Sequence, residues 1–279
     1  MDLPLRQLRD LWIHTGTPCN LSCPFCHEGS KPADTRLQAP AFEAIAAQLD
    51  AAAAAGVQRF CFTGGEPLIH RDIVRILRHA LALRPCLLLT NGTAPLIRRP
   101  QHLAQLQGLA HALHLRVSID YPDEARHDAG RGYKTFRKAL QGLQLLHQGG
   151  FDVGITRLSE PGEDAVAVAQ RHAQLLRRHG LPASLPVHAL PALGLPGQPP
   201  PAVVALPQGP LPFTACQAGR MLLQRDDTLR YSPCLLVDDE AALDLPADLA
   251  RACAEPTPLR HARCNVCLQT GFDYAGALP

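Results

Sequence analysis

The chain is short of several things, and each shortage excludes a class of function. Aromatic residues make up 5% of its 279 residues, too few for the stacking surface that holds single-stranded nucleic acid. The net charge is +2, so there is no electrostatic case for nucleic acid or an anionic membrane as partner. No apolar run reaches the roughly 18 residues that a bilayer-spanning helix needs, and the N-terminus does not read as a signal peptide. There is no internal repeat, and Ala51–Ala55 is a helix-forming run, not low complexity. What the chain does have is a globular apolar content of 46% and ten cysteines. The length allows a full core, as one large domain or a large and a small one. In a secreted chain ten cysteines would predict disulfides. Here they fall into an N-terminal triplet and a C-terminal group, which fits the reducing cytosol with metal-bound thiolates.

Six apolar runs alternate with helical patterns. The runs are Leu11–Thr15, Val57–Thr63, Cys86–Thr90, Leu113–Ile119, Phe151–Thr156 and Ser184–Leu190. The helices are expected over Ala41–Ala55, Arg71–Leu83, Gln101–Ala110, Tyr133–Gln148 and Glu163–His179, with Gly56, Gly149-Gly150 and Gly180 closing three of them. Such alternation predicts an α/β fold of parallel βα units, too few for a closed eight-stranded barrel. Barrel enzymes build their sites at the C-terminal ends of the strands. The cysteine loop, Gly64–Pro67, Thr90-Asn91-Gly92, Ser118 with Asp120, Thr156-Arg157 and His188 all fall on that rim.

The triplet Cys19, Cys23 and Cys26 is spaced C-x3-C-x2-C in one loop after the first run. Three thiolates from a short loop suit a cubane iron–sulfur cluster with one iron left open to a small chelating molecule. A zinc site, a redox thiol pair or a disulfide are the alternatives; zinc wants a second pair close by, and a disulfide leaves one thiol over. The spacing, with Phe25 before the last cysteine, resembles the signature of the radical S-adenosylmethionine (radical SAM) superfamily. So does Thr63-Gly64-Gly65-Glu66-Pro67 at the end of the second strand. The resemblance implies a partial (β/α)6 TIM-like barrel, in agreement with the six units.

It also implies roles. Cys19, Cys23 and Cys26 would hold a catalytic [4Fe-4S] cluster whose open iron binds the amine and carboxylate of S-adenosylmethionine. Reductive cleavage would give a 5′-deoxyadenosyl radical that takes hydrogen from substrate. Gly64 and Gly65 allow close backbone approach to the methionine, and Glu66 is expected to accept from its ammonium group. Phe25 is placed against the adenine or in simple loop packing. Ser118 and Asp120, two apart on a strand and hence on one face, suit ribose hydroxyls or strand-end capping. Asn91 lies on the same rim as a cofactor-binding candidate. Arg131 belongs to a segment, His127 to Gly132, that resembles one following strand four in related enzymes, and is a candidate for the cofactor carboxylate or for solvent. Arg157 and His188 are candidates to meet substrate, or plain polar rim residues.

The Pro-rich stretch Pro191 to Pro212 reads as a connector, giving domains 1–212 and 213–279. In the second, Cys216 and Cys234 are separated by seventeen residues, and a Cys264-x2-Cys267 pair follows. Met221-Leu222-Leu223 and Leu229-Arg230-Tyr231 flank Arg225-Asp226-Asp227 as a β-hairpin with a polar turn. A zinc ribbon would have a CxxC on each side. The pattern resembles the twitch domain, a shortened SPASM domain carrying an auxiliary [4Fe-4S] cluster. That implies Cys216, Cys234, Cys264 and Cys267 as metal ligands, although the gap before Cys264 is long. Cys253 reads as a plain buried residue, and Cys61 and Cys86 as strand core.

The resulting expectation is a cytoplasmic radical SAM oxidoreductase with two [4Fe-4S] clusters. It would dehydrogenate a small polar metabolite and be reduced by an external one-electron donor such as flavodoxin or ferredoxin. Peptide modification, by cross-linking or epimerisation, is the alternative. Only ten residues precede the first strand, so a fused N-terminal peptide-binding domain is not expected. An iron–sulfur electron carrier or metal-binding regulator would have no use for an open iron or a GGEP run. A cyclase of the molybdenum-cofactor type ranks low, because no Arg-rich C-terminal tail is present.

Overall fold

The computed structural model of the protein describes residues 2–194, 213–234, 236, 240–271 and 273–276. Its strands are β1 (Asp2–Leu3), β2 (Asp10–His14), β3 (Arg59–Thr63), β4 (Cys86–Thr90), β5 (Leu113–Ser118), β6 (Asp152–Leu158), β7 (Val187–Leu190), β8 (Gly219–Arg225), β9 (Thr228–Ser232), β10 (Leu245–Pro246) and β11 (Thr257–Pro258). The helices are α1 (Phe42–Ala54), α2 (Ile73–Leu83), α3 (Ala94–Ile97), α4 (Pro100–Leu106), α5 (Glu124–Arg131), α6 (Thr135–Gln148), α7 (Ala165–Arg178), α8 (Leu249–Ala254) and α9 (Ala262–Thr270).

Strands β2 to β7 lie side by side in chain order and all parallel, with helices between them. This is the expected partial barrel. Alternation along each strand divides its core in two. Leu11, Ile13, Phe60, Phe62, Leu88 and Val117 pack outward against the helices. Trp12, Cys61, Leu87 and Leu190 point into the lumen. Asp123, Asp164 and Asp248 cap α5, α7 and α8 by accepting from backbone amides of the first turn.

The C-terminal hairpin forms where the sequence places it. Its turn residues Asp226 and Asp227 are both at positive φ, +48° and +56°, as the tight hairpin turn that matches strand twist requires. It also goes further than the sequence reading. β8 pairs in parallel with β2, Asp10 opposite Gly219, so the hairpin continues the barrel's own sheet in the order β10–β9–β8–β2–β3–β4–β5–β6–β7. Of the Pro-rich connector, only 191–194 lies within the described residues. No helix among the described residues is long and apolar enough to cross a membrane.

Candidate functional site

At the C-terminal ends of the barrel strands lies an open cavity of about 790 Å³, its mouth included. Cys19, Cys23, Cys26, Phe25, Gly64, Gly65, Asn91, Ser118, Asp120, Arg131 and Arg157 all line it.

The cysteine loop is held from two sides. Asn20 Nδ2 donates to Thr93 Oγ1 at 2.9 Å and Asn91 Nδ2 donates to Asn20 Oδ1 at 3.0 Å, tying the loop to the end of β4. The Gly-Gly pair ties it to β3: the Gly65 and Glu66 amides donate to the carbonyls of Gly16 and Pro18 at 2.9 and 3.1 Å. A Cβ on Gly65 would sit 2.3 Å from Thr17 O, and one on Gly64, at φ +135°, 2.7 Å from Gly16 O. In this structure the two glycines therefore admit the cysteine loop's own backbone.

Glu66 is buried behind the wall. Its Oε1 accepts from Leu68 N at 3.1 Å and Thr90 Oγ1 at 2.8 Å, and its Oε2 from Asn91 N at 2.7 Å. Burial raises its pKa against these donors. The carboxylate expected to take a ligand ammonium thus joins the ends of β3 and β4. Asp120 and Arg131 are each other's partners, Arg131 Nη2 donating to Oδ1 at 3.2 Å. Burial alone would raise the Asp120 pKa, but the charge and hydrogen bonds of Arg131 hold it below the usual carboxylate range. Phe25 packs on Gly130 of α5, with the Arg131 guanidinium 5.5 Å from its ring centroid. Arg157 is buried and donates to both Glu163 oxygens at 2.6 and 2.8 Å.

His188, like Glu66, does not line the cavity. Its ring stands edge-on to His114, 6.3 Å away, and burial, with Arg116 and His114 nearby, lowers its pKa to about 4. Glu28, Ser30 and Tyr274, which the sequence reading left out, line the cavity too, as do Thr63, Thr90 and Thr156, which it placed at the strand ends without a role. Thr156 stands opposite Ser118 in the sheet register, and its buried Oγ1 has no hydrogen-bond partner, as does that of Ser30. Orphaned hydroxyls on a cavity wall fit a polar ligand. The sequence signal for Thr156 was its place beside Ser118 on the rim.

Burial keeps the free thiols of the loop protonated. Burial pushes Cys19 up to about 12, with Glu66 adding to it, and Cys26 up to about 11, with Glu28 adding to it. Such thiols lose their protons when a metal takes the proton's place.

A second cavity, about 540 Å³ with its opening, is lined by Cys216, Cys234, Cys264 and Cys267 together. Cys216 precedes β8 and Cys234 follows β9, so the hairpin's base carries both. Cys264 and Cys267 lie one turn apart on α9, capped by His261. Cys253 is elsewhere, half-buried on α8 beside Leu5 and Ala51. Among the described residues no three His, Cys, Asp or Glu side chains close to the spacing of a single metal ion; both thiol sets ring a cavity instead. Arg263 joins the two sites. Fully buried at the start of α9, it donates to His27 O beside Cys26 at 2.7 Å, and to Leu193 O, Gly194 O and Leu236 O.

The model of the radical SAM superfamily matches residues 13–168 of the chain. A probable GTP 3′,8-cyclase from Methanopyrus kandleri is 36% identical over 88 residues, covering 31% of this chain and 28% of that protein. An AdoMet-dependent heme synthase from Nitratidesulfovibrio vulgaris is 31% identical over 142 residues, covering 49% of this chain and 36% of that protein. The chain thus spans well under half the length of either relative. Among solved structures, Streptococcus suis SuiB superposes with a TM-score of 0.63 at 13% identity, over 90% of this chain and 67% of that one. The anSMEcpe structure with bound AdoMet superposes with a TM-score of 0.53 at 16% identity, over 72% of this chain and 54% of that one. Those likenesses establish the fold, and the family match covers the cysteine loop, the Gly-Gly-Glu-Pro run and the strand ends that wall the cavity: the chain belongs to the radical SAM superfamily of enzymes.

Proposed function

We propose that this radical SAM enzyme dehydrogenates a small polar metabolite, with Cys19, Cys23 and Cys26 holding the catalytic cluster and Cys216, Cys234, Cys264 and Cys267 an auxiliary one. The observation that carries the reading is the convergence of those last four thiols on one cavity. Four cysteines would leave no iron open to substrate, which suits electron transfer rather than substrate binding. When bound, the clusters and S-adenosylmethionine would supply a hydrogen-abstracting radical and a one-electron acceptor, so that substrate loses a hydrogen atom, then an electron and a proton. The chain's own part is recognition. Two charged pairs of the wall are already made, Asp120 with Arg131 and Arg157 with Glu163, and hydroxyls such as those of Ser118 and Thr156 line the same space. That favours a hydroxyl-bearing substrate. An external one-electron donor of the flavodoxin or ferredoxin kind would reduce the enzyme in the cytosol.

A second reading, modification of a peptide, has one observation in its favour. A groove of about 1070 Å³ with its opening meets the central cavity at Asp120 and Arg157 and runs along α7 to Arg178, giving room for an extended chain. SuiB, a neighbour by fold, has been captured with a precursor peptide. The deciding experiment is anaerobic reconstitution followed by product analysis with candidate polyols and peptides. About eight irons per chain, and a product two hydrogens lighter than a small substrate, support dehydrogenation. Zinc at the four C-terminal cysteines, or a modified peptide as sole product, overturns it.

A further inference from the structure

The lumen beneath the site is closed by a short C-terminal segment, and the means of closure are unusually costly. Asp273 receives the Arg9 guanidinium at 2.7 and 2.9 Å. Arg116, buried within β5, donates to Tyr274 O at 3.0 Å and Ala275 O at 2.6 Å. Arg59, buried at the start of β3, donates to Gly276 O at 2.9 Å and to Asp10 at 2.9 Å. Placing arginines inside a barrel is unfavourable unless their donors are met, and here backbone carbonyls of one segment meet them. The segment is therefore a built element of the barrel. Its side chain points upward: Tyr274 is 4% exposed, lies face to face on Trp12 with ring centroids 4.8 Å apart and planes within 10°, and is hydrogen-bonded with Thr63. Both Tyr274 and Thr63 line the central cavity.

We propose that Asp273–Gly276 is the floor of the substrate cavity and that Tyr274 is a specificity-determining residue, setting how deep a substrate reaches below the cofactor. The stacked pair gives that floor a flat aromatic surface. The Thr63 hydrogen bond fixes the ring against tilting, and the hydroxyls of Ser118 and Thr156 stand on the wall of the same cavity. A substrate that fits is one compact group wide. A substrate that needs more depth is refused by the ring itself. The inference rests on the radical SAM site, not on the reaction proposed for it.

The test uses the reconstituted full chain and p-cresol, which has the shape of the deleted side chain. Tyr274→Ala should open a slot of the ring's own shape at the cavity floor, with Trp12 as its flat wall. Calorimetry should then find saturable p-cresol binding in Tyr274→Ala, none in the wild type, and no change in that binding when S-adenosylmethionine is saturating. S-adenosylmethionine affinity itself should be unchanged in Tyr274→Ala and Tyr274→Phe. Absence of p-cresol binding, or its displacement by S-adenosylmethionine, overturns the assignment, as does a roughly tenfold loss of cofactor affinity in both variants. Arg116→Met gives an independent reading if Tyr274→Ala does not fold. Hydrogen exchange at the Gly276 amide, which donates to Asp273 O, should rise several-fold while cluster absorbance is kept. Unchanged exchange overturns the anchoring.

Discussion

The two cysteine sites are built in opposite ways. The first takes three thiols from one loop of eight residues, Cys19 to Cys26, and sets them beneath an open cavity rimmed by Asn91, Ser118, Asp120 and Arg131. The second takes four thiols from three segments far apart in the chain and walls them with Leu236, Leu243, Pro258 and Leu268. An open polar rim serves a site where molecules must enter and be oriented. A more apolar wall with a full set of thiols suits a site where none need enter. The cost of the second design is dependence on the whole fold. The loop needs only the neighbouring ends of β3 and β4 to hold its three cysteines, whereas the four meet only when the hairpin, α9 and the barrel edge are all in place.

The sharpest way to break this comparison is to remove one set of thiols at a time. Replacing Cys19, Cys23 and Cys26 together by alanine should abolish reductive cleavage of S-adenosylmethionine and remove one cluster from the absorbance and iron count. Residual cleavage in that variant would end the catalytic assignment. Cys264→Ala with Cys267→Ala should remove the other cluster and the two-electron product while cleavage continues, measured as 5′-deoxyadenosine released; loss of cleavage too would show that the second site serves the first directly.

Arg263→Met tests whether the sites are mechanically separate. It withdraws the donors from four carbonyls at once, those of Leu193 and Leu236 fully buried. At about 1–3 kcal/mol for a buried group left unmet, the expected loss of stability is several kcal/mol, with both clusters less well retained on thermal challenge. Loss confined to the auxiliary cluster would mean that the link to His27 is idle.

Glu66→Gln is smaller. One of its three donors should lose its acceptor, costing about 1–3 kcal/mol in thermal unfolding, with cofactor affinity falling in step. A fall in affinity at unchanged melting temperature would instead make Glu66 a direct ligand of the ammonium group, as the motif's resemblance implies.

The smallest effect is a pH dependence. His127 and His188 are both lowered to about 4, chiefly by burial, so the folded state keeps them neutral. The unfolded chain takes up those protons near pH 6.5. Stability should therefore be full above about pH 6.5 and decline as pH falls towards 4. His188→Gln should flatten that decline without touching cluster content; an unaltered pH profile would show that the ring is solvated.

The catalytic half was legible because its information is local. The C-x3-C-x2-C spacing, the Gly-Gly-Glu-Pro run and the strand ends needed only the order of residues and the rule that barrel strands present their C-terminal ends together. Helix α5 was missed because its sequence, Glu-Ala-Arg-His-Asp-Ala-Gly-Arg, has no apolar stripe; it stands on the Asp123 cap and on Gly130 packed beneath Phe25. The pairing of Asp120 with Arg131 followed from that helix and was hidden with it. The inward arginines of β3 and β5 were visible as charges inside apolar runs, but nothing in the sequence said that residues some 160 to 217 positions later would meet them. The parallel docking of β8 on β2 is likewise a tertiary choice, since a hairpin's periodicity does not reveal which sheet it extends.

That docking has a consequence for how the molecule comes to be made. β2 carries the cysteine loop, yet its outer neighbour β8 begins at Gly219, opposite Asp10. Pairing so distant in sequence is slow to form, because a long loop must close first. During synthesis the outer flank of β2 therefore stays unzipped until most of the chain has left the ribosome, although the ends of β3 and β4 already brace the cysteine loop from the other side. An exposed strand edge invites wrong pairing in that interval. A chain stalled before the hairpin should accordingly be recovered as an aggregation-prone intermediate with the edge of β2 exposed.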